Sequence, residues 1–425
     1  MQRITASFPV TNKEVFKQQM LRWANQSSVC CFLDNNSYSD KHNSYEWLLA
    51  AGAVKTISPT ENKLEALKEF CAEYHDWLFG HFGYDLKNEI EDLYSSHTDF
   101  IGFPDVFLFQ PEIVIGSNED TVSISSLAAE PSAIYNAICE VHLYTADRLP
   151  QPDIQLRTVK WQYIDTVEKL RNHILRGDCY EVNYCIEFFA EDALIDPLFV
   201  YEQLVKISPN PFASFYKLHD KYLLCASPER YLKKTGNNII SQPIKGTIKR
   251  NQEKEQDENN KQQLLHSNKD RSENVMVVDL VRNDLSKVCK DGSVTVEELF
   301  GIYSFPQVHQ MISTVKGQLK EDIGIADIIN ATFPMGSMTG APKKRVMELI
   351  EQYEQTKRGI FSGAVGYIDP EGDFDFNVVI RSIMYNEANN YLSYQVGSAI
   401  TFYSNAADEF EECLLKSKAI EQVLC

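Results

Sequence analysis

The residues best equipped for chemistry in this 425-residue chain are one lysine and a few carboxylates set in compact motifs. Lys245 stands in Ser241-Gln-Pro-Ile-Lys-Gly-Thr247, between Pro243 and Gly246 and after the β-prone run Asn238–Ser241. That setting predicts a strand end, from which the amine is either aimed at a reacting centre or simply solvated. Ser227-Pro-Glu229 lies sixteen residues earlier, a hairpin distance that can bring an acid opposite the amine. The same tripeptide also reads as a turn with a solvated glutamate. Asp270 and Glu273 are three apart on a predicted helix and therefore share a face. Glu409 and Glu412 repeat that spacing on the C-terminal helix, with Lys416 one turn further on. Two such pairs brought together would repel unless a cation lay between them. A hard divalent ion held by a few carboxylates and several waters fits Mg²⁺, although either pair alone also reads as a solvated helix face.

Two further segments can recognise anions. In Pro334-Met-Gly-Ser-Met-Thr-Gly-Ala-Pro-Lys343, Gly336 and Gly340 allow tight turns, and Ser337 and Thr339 offer hydroxyls. Pro342 suits a first helical position. The free N–H groups of such a helix start can seat a carboxylate, or the segment is an ordinary capped loop. Arg381 falls within Asp375–Tyr385, an apolar stretch predicted as a strand. A buried arginine needs an anionic partner, which is either a bound carboxylate or a structural Asp or Glu.

The elements that must position these groups alternate helix and strand without repeats. Helices are expected at Asn12–Asn25, Glu61–His75, Trp161–Arg176, Gln262–Val281, Pro342–Thr356 and Ala407–Leu424. Strands are expected at Phe103–Gln110, Ile113–Ile115, Cys179–Ala190, Phe212–Lys217, Tyr222–Ala226, Asn238–Pro243, Ser293–Leu299, Gln307–Leu319, Phe361–Ile368, Asp375–Tyr385 and Tyr391–Ile400. The polar run Lys249–Lys269 reads as a loop leading into a helix. Leu149–Asp153 reads as a connector between an N-terminal region, 1–150, and a catalytic region, 159–425. The order is mixed rather than βαβ-repeating, so the expected class is α+β with large antiparallel sheets.

Composition narrows the partners. A net charge of −19 argues against nucleic-acid and anionic-membrane binding, which call for a basic face. No run of about 18 apolar residues exists. The ten cysteines show no CxxC or zinc spacing and read as reduced thiols, so the expected location is the cytoplasm.

Taken in order, six motifs give the chain a family likeness: Gly177-Asp-Cys-Tyr-Glu-Val-Asn183, Ser227-Pro-Glu-Arg230, Pro243-Ile-Lys-Gly-Thr247, Val278-Asp-Leu-Val-Arg-Asn-Asp284, Pro334–Lys343 and Gly363–Tyr367. The stretch Trp161–Leu424 that carries them resembles the chorismate-utilising enzymes, most closely their aminodeoxychorismate synthase component I branch. Phe79-Gly-His-Phe-Gly-Tyr-Asp-Leu-Lys87 extends the likeness towards the N-terminus. The resemblance implies one intertwined fold of two stacked antiparallel sheets with outer helices and a cleft between them. It implies conversion of chorismate and ammonia to 4-amino-4-deoxychorismate, for p-aminobenzoate and folate synthesis, with ammonia supplied by a separate glutamine amidotransferase. Anthranilate synthase component I, or a noncatalytic member that binds an amidotransferase, are the competing readings.

The resemblance also distributes roles. Lys245 becomes a covalent nucleophile, which must be neutral and hence have a lowered pKa. Glu229 becomes the general acid, which needs a raised one. Glu273 and Glu412 hold Mg²⁺, helped by Asp270 and Glu409. Arg381, Tyr367 and the backbone near Gly397–Ala399 hold the enolpyruvyl carboxylate, His309 and Thr339 touch the ring, and Lys416 lies near the metal and the substrate carboxylate. Three positions depart from the pattern. Asp270 replaces a longer Glu. Glu181 stands where amine-adding members carry Gln and water-adding members carry Lys; the missing Lys argues against water addition, and the carboxylate there could hold ammonium or take a proton. Leu33-Asp-Asn-Asn36 replaces a Leu-Leu-Glu-Ser-like motif, which argues against feedback by tryptophan.

Overall fold

The computed structural model describes residues 2–38, 41–118, 120–143 and 149–424. The expected regional division near residue 150 abuts residues 144–148, which lie outside the described residues. Eleven α-helices and twenty strands are described, and every strand pairing is antiparallel.

One half of the sheet runs Trp47–Ile57, Val29–Asp34, Phe212–Leu218, Lys221–Ser227, Ser382–Asn386, Tyr391–Ile400 and Glu181–Ala190, each paired with the next. The other half runs Val106–Asn118, Leu78–Phe82, Ala364–Ile368, Phe374–Asn377, Arg230–Thr235, Asn238–Gln242 and Val308–Gln318. The last of these also pairs with Ile244–Lys249 and Thr295–Ser304. Trp47–Ile57 and Val106–Asn118 pair with each other, so the two expected sheets form one continuous hydrogen-bonded network folded onto itself. Contacts such as His81 Nδ1 to Tyr216 Oη, 3.0 Å, join the facing halves.

Strand periodicity decides which core each residue enters. In Val29–Asp34, Cys30 and Phe32 pack in a cluster with residues of the helices Lys13–Ala24, Lys160–Leu175, Pro197–Ile207 and Ala406–Leu424, while Val29 and Cys31 enter the cluster shared with Leu78–Phe82 and Phe374–Asn377. The adjacent cysteines therefore face opposite cores. They are among nine free thiols in the described residues. Helix Lys160–Leu175 buries Tyr163, Val167 and Leu170 at the expected three- and four-residue steps.

Three of the expected segments take a different form, and elements such as strand Val29–Asp34 and helix Pro197–Ile207 are absent from the sequence expectation. The polar segment after Lys249 is helical from Lys254 to His266, followed by a second helix, Asn268–Val288. Its anchors are Leu264 and the carboxylate of Asp257, which binds Arg250 Nε at 2.8 Å; such ion-pair anchoring leaves no apolar periodicity to read. Phe103–Gln110 and Ile113–Ile115 belong to one strand, Val106–Asn118, because the partner strand shifts register between Ala53 and Lys55, opposite Pro111, which has no N–H to donate. The stretch Asp375–Tyr385 is two strands, Phe374–Asn377 and Ser382–Asn386. Between them the backbone bonds elsewhere: Val378 N–H donates to Glu229 O, and Arg381 O accepts from Ala226 N–H.

Behind the sheet end that carries Glu181, a buried ion pair locks the motif Pro334–Lys343. The Arg358 and Glu354 side chains, 1% and 3% exposed, pair at 2.6 Å. Arg358 also donates to Met338 O at 2.7 Å and Asn183 O at 2.8 Å, and Glu354 accepts from Cys185 N–H at 2.9 Å. Arg358→Met would leave that carboxylate buried and unpaired. We expect it to lower unfolding free energy by about 3–5 kcal/mol in urea titration. A loss below about 0.5 kcal/mol would show that the pair does not hold this region.

Candidate active site

Lys245 lies at the second position of strand Ile244–Lys249, beside a register shift between Ile244 and Thr247. Gly246 has φ +90°, and a Cβ there would come within 2.9 Å of the Asp270 side chain. Glycine thus lets this strand lie against helix Asn268–Val288. The Lys245 side chain is 10% exposed, and its Nζ lies 2.6 Å from Glu181 Oε1. Glu181 opens strand Glu181–Ala190 and is 1% exposed; its other oxygen has no hydrogen-bond partner. Gly340, φ +143°, packs where a Cβ would stand 2.1 Å from the Glu181 carbonyl oxygen, so the motif Pro334–Lys343 presses directly on this strand.

The charges here are unbalanced. Burial acts to lower the Lys245 pKa, but the carboxylates of Glu181, Glu273 and Glu229 overcome it and hold the amine above its ordinary value. The lowered value expected of a resting nucleophile is therefore reversed, because Glu181 supplies a carboxylate at contact distance. Glu229, by contrast, is pushed up to about 7 by burial, against the Ser337 hydroxyl, Lys245 and the Ile244 N–H, as a general acid requires. Its turn is fixed by Ser227: Glu229 N–H donates to the Ser227 hydroxyl, which donates to Val378 O at 2.6 Å. The next residue, Arg230, is fully buried and holds Asp375 at 2.9 Å and the Gln242 amide oxygen.

Glu273 is likewise raised to about 7 by burial; Lys245 and Lys269 oppose, and Glu181 and Asp270 add to the rise. Its Oε1 is buried without a hydrogen-bond partner. Glu412 is lowered: burial acts upward, but Lys416, 2.7 Å away, prevails together with Lys269 and Lys245. Lys416 also donates to Gly397 O at 2.9 Å. Glu409 is buried and 3.5 Å from Lys269, and Asp270 lies against Gly246. Among the described residues no three His, Cys, Asp or Glu side chains gather as a ready-made metal cage. An ion bound through one or two carboxylates, water and substrate needs none, and the orphaned oxygen of Glu273 fits such an ion.

Arg381 sits at the break between strands with φ +52°. Burial lowers its pKa, opposed only by the charge of Glu412, and among the described residues no carboxylate lies within ion-pair distance of it. The ion pair with an Asp or Glu that the sequence allowed is thus not formed among the described residues. Thr339 is fully buried; its hydroxyl donates to Met335 O at 3.2 Å, and its carbonyl accepts from Asn183 N–H. Ala399 pairs with Asn183 across strands. His309 is fully buried, and both ring nitrogens are engaged, by Asp257 at 2.9 Å and Ser304 at 2.9 Å. It is therefore packed beneath the helix Lys254–His266. Tyr367 is not joined to the lysine group: its ring packs on Tyr45, Trp77 and Phe79, and it lines a pocket with Asp34, Ser44 and Asp375. Asp34 itself is bound by Lys17 at 3.1 Å. Sequence reasoning missed Lys269 and Asp257; both lie in the polar run, where no motif marked them.

The scaffold is that of chorismate enzymes. It superposes on anthranilate synthase component I from Streptococcus pneumoniae with a TM-score of 0.78 at 25% identity, covering 91% of this chain and 95% of that one. It superposes on the isochorismate synthase MenF from Escherichia coli with a TM-score of 0.81 at 15% identity, over 100% and 94% of the two chains. The profile of the chorismate binding enzyme family matches residues 21–422, and the chain belongs to that family. Similar proteins include the chloroplastic aminodeoxychorismate synthase of Arabidopsis thaliana, 36% identical over 86% of this chain but 42% of that protein. Aminodeoxychorismate synthase component 1 of Salmonella typhimurium is 33% identical over 80% of this chain and 75% of its own length. The chain thus spans less than half of the Arabidopsis relative.

A carboxyl raised to about 7 binds its proton more tightly in the folded than in the unfolded chain. Its contribution to stability is complete below pH of about 4 and disappears as pH rises through about 7. Glu229→Gln should therefore match the metal-free parent in stability near pH 4. By pH 8 it should exceed it by on the order of 3 kcal/mol in denaturant titration. Equal stability across that range would show that Glu229 titrates as an ordinary carboxylate.

Proposed function

We propose that this chain is the chorismate-converting component of an aminodeoxychorismate synthase. It would take chorismate and ammonia to 4-amino-4-deoxychorismate, a precursor of p-aminobenzoate. The observation that carries this reading is a buried amine, Lys245, acting electrostatically on a buried acid raised to about 7, Glu229, within a chorismate-family scaffold. The names of the Salmonella and Arabidopsis relatives point the same way.

In this reading the Lys245 nitrogen attacks ring carbon C2, the two ring double bonds shift, and the C4–O bond breaks. Glu229 gives its proton to the departing hydroxyl, which leaves as water. Ammonia then adds at C4, the double bonds return, and the lysine is released. Arg381 receives a substrate carboxylate through its paired N–H groups. Glu273 and Glu412, assisted by Asp270 and Glu409, would hold Mg²⁺, which when bound supplies positive charge for the ring carboxylate. Ammonia would come from a separate glutamine amidotransferase in the cytoplasm. No helix of the described residues is long and apolar enough to cross a membrane.

The test is product identity from purified protein given chorismate, Mg²⁺ and ammonium salt, read by chromatography with mass detection. 4-Amino-4-deoxychorismate is expected, and Glu229→Gln should lower turnover by about 10²–10⁴-fold. Anthranilate as product would sink the reading in favour of anthranilate synthase chemistry. No turnover even with an amidotransferase present would leave a noncatalytic binder.

Ion binding can be checked without turnover. Magnesium should raise the melting temperature of the parent protein and leave a Glu273→Gln, Glu412→Gln double variant unmoved. Equal shifts in both would remove these two carboxylates from the metal site.

A further inference from the structure

The contact between Lys245 and Glu181 has a chemical consequence. An amine attacks carbon only through a free lone pair, yet the groups facing Lys245 keep it protonated. Glu181 faces it from strand Glu181–Ala190, Glu273 from helix Asn268–Val288, Glu229 from the turn after Lys221–Ser227, and Glu412 at longer range from helix Ala406–Leu424. Only one of them is in contact. Glu181 Oε1 lies 2.6 Å from Nζ, whereas no other carboxylate comes within 4.0 Å of that nitrogen among the described residues.

The geometry of Glu181 is that of a held acceptor. Its backbone is fixed on both sides, with Ala341 opposite it and Ile400 opposite its neighbour Val182. Its side chain is sealed from solvent at 1% exposure. Lys245 is its one cationic contact among the described residues, and its second oxygen has no partner. One of its two oxygens therefore lacks the hydrogen bond that a buried carboxylate oxygen ordinarily makes. Excluding water from the site, as a bound substrate would, narrows the gap between an ion pair and its neutral counterpart.

We propose that Glu181 is the base that frees Lys245, taking the ammonium proton onto Oε1 as the nitrogen attacks. This rests on the reading that Lys245 is a nucleophile. In the step, one N–H bond breaks and its electron pair stays on nitrogen. That pair forms the N–C2 bond, the ring double bonds shift, and the C4–O bond breaks towards the proton of Glu229. Glu181 ends protonated, the substituted Lys245 nitrogen again carries one positive charge, and water leaves.

The arrangement makes a prediction that a purely structural glutamate would not. Because the proton moves within the pair, the reactive form holds as many protons as the resting form. Attack therefore needs no proton loss to solvent, and its rate should be flat on the acid side, where Glu229 remains protonated. In Glu181→Gln the amide accepts the hydrogen bond but not the proton. The attacking form then has one proton fewer than the resting form, and the rate should climb about tenfold per pH unit.

The experiment omits ammonia and follows the Lys245 adduct by intact mass after acid quench, as a gain of one chorismate less one water. Peptide mapping assigns the residue, and rates are compared over roughly pH 5 to 7. Expected are a flat profile for the parent, a rising one for Glu181→Gln, and a flat but slower one for Glu181→Asp, which keeps a carboxylate. Thermal unfolding of each variant confirms that it is folded. Adducts with the same pH dependence in parent and Glu181→Gln overturn Glu181 as the base and leave Lys245 as the nucleophile. A Glu181→Asp profile identical to that of Glu181→Gln overturns it as well. A parent enzyme that turns chorismate over with ammonia yet forms no Lys245 adduct overturns the nucleophile, and this inference with it.

Discussion

The structure is organised around the burial of one amine among more negative charge than it can neutralise. Lys245 faces Glu181, Glu229 and Glu273, and burial raises two of those carboxyls, Glu229 and Glu273, to about 7 although the lysine opposes the rise. Water would solvate these carboxyls, and the fold excludes it: Glu181 and Glu229 are 1% and 4% exposed. Carboxylates crowded in this way separate unless their backbones are fixed, so the surrounding fold must supply rigidity rather than charge. It does so with four different elements, each bringing one group. Lys245 comes from a strand edge, Glu181 from the start of another strand, Glu229 from a turn, and Glu273 from a helix.

Two buried arginines hold that assembly without entering it. Arg230 anchors the strand after Glu229 to Asp375 and Gln242. Arg358 ties the backbone beside Glu181 to the motif bearing Ser337 and Thr339, while its own charge is met by Glu354. Both are guanidiniums with several fixed donors, and each spans segments distant in sequence. A lysine could not make the same set of bonds. Glycine does the complementary work at Gly246 and Gly340, where backbone or side chain approaches too closely for any Cβ.

The sequence was informative wherever one short segment carried its own physics. Helix Lys160–Leu175 and strand Tyr391–Ile400 lie where periodicity put them, and the carboxylates Asp270 and Glu273 do share one helix. It was misleading where distant groups decided. The helix Lys254–His266 is almost uniformly polar, and its anchor, Asp257, finds Arg250 and His309 only in three dimensions. The break at Val378–Arg381 reads as continuous strand because its apolar residues are buried either way; the bonds of Val378 to Glu229 and of Arg381 to Ala226 are long-range. The direction of the Lys245 shift depended on whether Glu181 reached it, which spacing along the chain could not show.

A net charge of −19 must be reconciled with the carboxylate-bearing substrate of the proposed chemistry, and the distribution of cations bears on how the two coexist. Lys245, Lys269 and Lys416 are each matched to a carboxylate, Glu181, Glu409 and Glu412. Their charge is spent within the protein and offers a dianion little net attraction. Arg381 differs, since among the described residues no carboxylate forms an ion pair with its half-buried guanidinium. An anion arriving there would form a charge-assisted pair that no protein carboxylate already occupies, which the paired lysines cannot offer. One arginine answers one carboxylate. Under the proposed chemistry the second must be met by a cation beside Glu273 and Glu412, so binding should require that ion and substrate be present together, each completing the charge that the other lacks.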